Sequence, residues 1–176
     1  MTALRRLDVD LWEARSELRM PGGIRFPIRM TVVRLPDGRL LLHSPIAIDD
    51  ALAAALAAEG EVGFIVAPNR LHHLFIQAAQ QRYPAAETWA APMLPAKRRD
   101  IRFSGRLVAD PAPFAGALRP IAIDGVPWMG EVCFFHTATA TLIVTDLFFN
   151  LRDISHLPTR WLFRLYGMYG NAKQSP

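Results

Sequence analysis

Two adjacent histidines, His72 and His73, follow a short apolar run and a Pro68-Asn69 break, and their types and position suit them to chemistry. An imidazole titrates near neutrality and offers one donor and one acceptor nitrogen, so such a pair can move protons or bind a divalent ion. Open α/β layers gather ligands at the carboxyl ends of their strands, and the pair falls at such an end. A plainer reading stands beside this one: Asn69 caps the helix that follows, one histidine bonds a backbone carbonyl and the other meets water. His136 and Asp146 lie at the ends of a later apolar hairpin and are further candidate ligands. Arg70 carries a fixed cation two residues before the pair, which suits an anionic group of a substrate.

Several elements must position these groups. Residues 62–66 are β-branched or aromatic apart from Gly63, predicting a buried strand over 62–67. Leu71, Leu74, Phe75 and Ala78 recur at helical spacing and predict a helix from Leu71 to Arg82, stopped by Tyr83-Pro84. Upstream, residues 29–35 and 39–43 flank Pro36-Asp37-Gly38, a strand, a tight turn and a returning strand. Asp49 is the expected N-cap of an alanine-rich helix over residues 50–58, which Gly60 ends. Residues 7–29 read as an irregular leading segment with a turn at Met20-Pro21-Gly22-Gly23. A short strand is expected from Thr88, and residues 95–127 read as a long surface excursion whose one strand covers 118–123. A second hairpin covers 131–136 and 141–146, and a helical tail runs from Pro158 to Tyr169. The order implies a mixed sheet covered on at least one face.

A chain of 176 residues with 51% hydrophobic and 20% charged content is expected to form one domain, residues 1–176, and cannot be a disordered polymer. Its net charge of +4 is small, and apart from Lys97-Arg98-Arg99 its basic residues are scattered, so a nucleic-acid partner is not expected. Cys133 is the single cysteine, which excludes an intramolecular disulfide and the Cys-rich zinc patterns. The charged start lacks the apolar core of a signal peptide and no window reaches spanning length, so a cytoplasmic location is expected. The tail, dense in large apolar groups, is expected to pack on its own core or in a homo-oligomer rather than on a membrane.

Residues 65–74, 83–92 and 142–149 together resemble the metallo-β-lactamase superfamily, in which a strand runs into His-x-His-x-Asp-His and a later strand ends in Gly-Asp. The resemblance covers roughly residues 30 to 150 and implies an αββα sandwich with mixed sheets, its carboxyl end cut short. Laid on that pattern, the first two histidines become Pro68 and Arg70, the aspartate becomes His72 and the last histidine is His73. Thr145 replaces the glycine before the bridging aspartate, Asp146, and His136 corresponds to a third family histidine. A proline cannot ligate and an arginine brings a cation, so the pattern implies loss of the first metal position. It implies one remaining divalent ion, zinc by preference, on His72, His73, His136 and Asp146, with Arg70 and Asn69 toward a small-molecule substrate. The resemblance thus implies a metal-dependent hydrolase with a reduced mononuclear site, or else a binding or assembly module that keeps the fold without catalysis.

Overall fold

The first forty residues build an antiparallel ribbon. The computed structural model describes residues 2–125, 128–149, 154, 156–167, 169–170 and 173–174. Strands β1 (Leu4–Asp8), β2 (Leu11–Arg19), β3 (Arg25–Arg34) and β4 (Leu40–His43) pair in sequence as antiparallel neighbours. The leading segment is therefore ordered strand, contrary to the irregular segment expected. The pattern was hidden because one face of β2 is apolar at Trp12, Ala14 and Leu18 while the other buries Glu13. That carboxylate is offset by Arg5 at 2.5 Å and Arg15 at 2.8 Å, so a charged residue sits where alternation leads one to expect solvent. The Asp-Gly turn after β3 forms as expected, with Asp37 Oδ1 accepting from Arg39 N–H and Gly38 at φ 85°.

From β4 onward the sheet becomes parallel. Helix α1 (Asp50–Glu59), capped by Asp49 Oδ1 accepting from Leu52 N–H at 2.8 Å, crosses to strand β5 (Val62–Ala67). Helix α2 (Ile76–Arg82) crosses to β6 (Glu87–Ala90), and α3 (Leu94–Lys97) precedes the short β7 (Gly105–Arg106). The order β1-β2-β3-β4-β5-β6-β7 makes one seven-stranded sheet, with β4 to β7 parallel. A second, antiparallel sheet has the order β10-β9-β8, from β8 (Leu118–Ala122), β9 (Val132–His136) and β10 (Thr141–Ile143). Two short strands, β11 (Phe148–Phe149) and β12 (Lys173–Gln174), pair separately.

Each face of the large sheet has its own core. Leu42, Leu52, Leu56, Ile65 and Ile76 pack the helix side, while Leu41, Phe64, Phe114, Leu118 and Phe134 pack between the two sheets. Successive residues of β4 and β5 therefore point to opposite buried faces, which is why both read as unbroken apolar runs. The mixed α/β class and the two packed sheets are as the sequence led one to expect. The described part of the stretch 95–127 is not a surface excursion, however: Ile101, Leu107 and Phe114 lie in segments without a regular apolar period, and each is buried. Helix α4 (Leu157–Leu165) matches the expected tail but stops earlier, and Met168 of that expectation lies outside the described residues. It docks on the start of β3, where Phe163 meets Phe26 edge to face at 5.5 Å and Thr159 Oγ1 accepts from Arg25 N–H. No helix among the described residues is long and apolar enough to cross a membrane.

Candidate functional site

Parallel pairing puts the carboxyl ends of β4 and β5 at one edge, and both strands end in polar loops there. Ser44 N–H donates to Val66 O at 2.9 Å, fixing His43-Ser44-Pro45 beside Pro68-Asn69. Ser44 holds φ at 56°, a left-handed conformation that a non-glycine residue adopts at a cost of order 1 kcal/mol or more, and such strain gathers at working sites. The small sheet closes the edge from the other side, because Val132 N–H donates to Pro68 O at 2.8 Å.

Asn69 is fully buried and organises the loop. Its Oδ1 accepts from Leu71 N–H and His72 N–H, both at 2.8 Å, while its amide donates to Asp146 Oδ2 at 2.8 Å and Thr145 Oγ1 at 2.9 Å. This is the cap geometry that opens a helix, but the backbone beyond it closes in tight turns, His73 N–H to Leu71 O at 3.0 Å and Ile76 N–H to His73 O at 3.3 Å, and α2 starts only at Ile76. Glu131, also buried, holds the other strand of the loop by accepting from Thr145 N–H at 2.7 Å and Asp146 N–H at 2.8 Å.

His72 lies between two partners: its Nδ1 meets the Ser44 hydroxyl in a short hydrogen bond, and its Nε2 lies 3.1 Å from Asp146 Oδ2. Nε2–H donating to the carboxylate leaves Nδ1 free to accept from Ser44 Oγ–H, a tautomer assigned from the bonds themselves. Burial pulls the Asp146 carboxyl up, but hydrogen bonds and charge from His72 and the Asn69 amide outweigh it, leaving the pKa below the ordinary carboxylate value. Asp146 is therefore an anion that orients the ring. The nitrogens exchange the roles they have in serine proteases, and either arrangement leaves one to accept while the other donates.

The structure separates the four expected metal ligands. His72 and Asp146 come together, but His73, on the next residue of a tight turn, faces the other way. Its Nδ1 takes a hydrogen bond from Arg98 at 2.8 Å, and burial with the Lys97 and Arg98 charges lowers its pKa. His136 ends β9 four residues beyond Val132, roughly 13 Å along the strand, bonded to Thr139 Oγ1. Arg70 turns outward, donating to Trp128 O at 3.2 Å, so it does not face the Ser44 side. Among the described residues no group of three or more His, Cys, Asp or Glu could hold a metal ion. Zinc sites use at least three protein donors, whereas here one imidazole and one carboxylate are already bonded to each other and to Ser44 and Asn69; this donor set does not fit the ion. Sequence reading missed Ser44 and Glu131. The available signal was the position of His43-Ser44-Pro45 at the end of a strand parallel to β5 and at the same edge.

A family model described as "Domain of unknown function (DUF4336)" matches residues 13–158. No curated protein matches the chain. Among solved structures, the DIM-1 metallo-β-lactamase superposes with a TM-score of 0.71 at 13% identity, covering 98% of this chain and 91% of that one. A metallo-β-lactamase from Pontibacter korlensis gives 0.67 at 13% identity, with 99% and 94% covered. The FIM-1 enzyme of Pseudomonas aeruginosa in its mono-zinc form gives 0.51 at 14%, with 76% and 63% covered. At these identities the likeness is one of fold, and it bears out the metallo-β-lactamase-like architecture.

Proposed function

Because the chain belongs to the family described as "Domain of unknown function (DUF4336)" and has the metallo-β-lactamase fold, we propose that it is a hydrolase of acyl compounds working through Ser44, His72 and Asp146 in place of a metal centre. The observation that carries this reading is the continuous hydrogen-bonded line from the Ser44 hydroxyl through both nitrogens of His72 to Asp146. In the first step His72 Nδ1 takes the Ser44 proton as Oγ attacks the acyl carbon, and the imidazolium then gives that proton to the leaving group. Water, deprotonated by the same nitrogen, cleaves the acyl-serine and restores the hydroxyl. Asp146 stays ionised throughout and steadies the positive ring. The hydrolase part of the expected function is kept and its zinc ion is not, since the donor set argues against one.

The test is hydrolysis of p-nitrophenyl acetate and labelling by a fluorophosphonate, read by intact-protein mass. The wild type should turn over and gain one adduct, insensitive to a chelator. Ser44→Ala should gain none, and His72→Ala should lose at least a hundredfold in rate, the scale of a removed general base. Equal labelling of wild type and Ser44→Ala, or activity that appears only with added zinc, would overturn the proposal.

A further inference from the structure

We infer, resting on the reaction just proposed, that the acyl group is an uncharged, unbranched chain of medium length, so that the substrate is a fatty ester or thioester. Ser44, His72 and Asp146 are the polar part of a cavity of about 310 Å³, and the other described residues that line it are apolar. One wall comes from the arm of the β2–β3 ribbon that β4 does not pair, the arm on whose start α4 docks. β3 pairs with β4 only over Thr31–Arg34, so its residues 25–30 overhang the sheet edge and present Phe26 and Ile28 beside Leu18. The facing wall is Leu71, Leu74 and Phe75, thrown outward by the Asn69 turn just before α2.

The chemistry of the lining selects the substrate. Among the described residues no lysine or arginine lines the cavity, so a carboxylate, phosphate or sulfate on the bound group would lose its hydration without a cation in return. That disfavours phosphodiesters and acids as the acyl component. A hydrocarbon chain loses nothing by the same transfer and gains at each methylene. Leu71 and Leu74 are 43% and 56% exposed, apolar surface that such a chain would cover. The volume is near the lower end for small-molecule sites, which suits one chain and leaves no space for two. Because Ser44 stands in the polar part of the cavity, a chain lying along the apolar walls brings its own carbonyl carbon to Oγ. The acyl–oxygen or acyl–sulfur bond then breaks, the alcohol or thiol leaves with the proton from His72, and water releases the fatty acid.

A series of p-nitrophenyl acetate, butyrate, octanoate and palmitate on the full chain tests this. kcat/KM should rise roughly fourfold per methylene from acetate to butyrate, the factor given by burying one CH2, and should level off by palmitate. Leu74→Asp, at an exposed position that need not disturb folding, should lower the octanoate-to-acetate ratio at least tenfold. Calorimetric binding of the uncharged octanamide to Ser44→Ala separates this inference from the reaction beneath it. Binding that Leu74→Asp weakens, without turnover of any ester, would sustain the chain site while the reaction falls. A rate independent of chain length together with no octanamide binding would remove the chain site, even if acetate is hydrolysed.

Discussion

His43 precedes the proposed nucleophile, its ring and that of Phe134 in a T-shaped contact at 5.2 Å, and its Nε2 has no hydrogen-bond partner among the described residues. Burial first, then the charges of His72 and Arg29, push its pKa down to about 3. In the unfolded chain it titrates near the ordinary value of about 6.5, so between these limits the unfolded state binds a proton that the fold refuses. The stabilisation from His43 is complete above about pH 6.5 and is lost as pH falls toward 3. His43→Leu should therefore flatten the acid limb of stability, by up to about 1.4 kcal/mol per pH unit, in urea unfolding at about pH 4.5 and about pH 7.5. Parallel curves for the two proteins would assign the acid sensitivity elsewhere. The site histidines differ for the same kind of reason: neighbours in sequence, His72 and His73 end on opposite sides of a turn, one on Asp146 and the other on Arg98.

At the scale of elements, close approach between strands is set by glycine at two places with different tolerance. A Cβ on Gly105 of β7 would lie 2.4 Å from the Trp89 ring of β6, a rigid neighbour that Phe114 also holds in place. A Cβ on Gly63 of β5 would meet Arg39 Cδ at 2.8 Å, part of a long side chain that can swing. Gly105→Ala should cost about 1–3 kcal/mol and Gly63→Ala clearly less, measured as urea midpoints at constant slope. The element ends showed similar dependence on side-chain detail. Asp49 and Gly60 marked both ends of α1 in the sequence, because their roles are local. The sequence put the start of α2 at Leu71 and the structure puts it at Ile76, because the backbone after the Asn69 cap closes in tight turns in a loop that Asp146 and Thr145 hold from far along the chain.

For the molecule as a whole, one large sheet separates two apolar layers, and residues of β4 and β5 belong to both. Such sharing should make a single folding unit over the chain. Leu56→Ala on the helix side and Phe134→Ala between the sheets should each cost about 2–5 kcal/mol and lower one common thermal transition, on the order of ten degrees. Two transitions moving separately would show independent units. The sequence alone determined what is local or periodic: the mixed class, the Asp-Gly turn, the capped helix, the buried run 62–67 and the second hairpin. It also named His72, Asn69 and Asp146 as candidate site residues. Only the tertiary structure decided which of them meet. Ser44 reaches His72 because β4 lies parallel to β5, Asp146 reaches it because Glu131 and Asn69 fold the later loop inward, and His136 is lost to the site because a strand separates its two ends. Pairing direction and strand length join residues distant in sequence, and neither leaves a periodic mark on the chain.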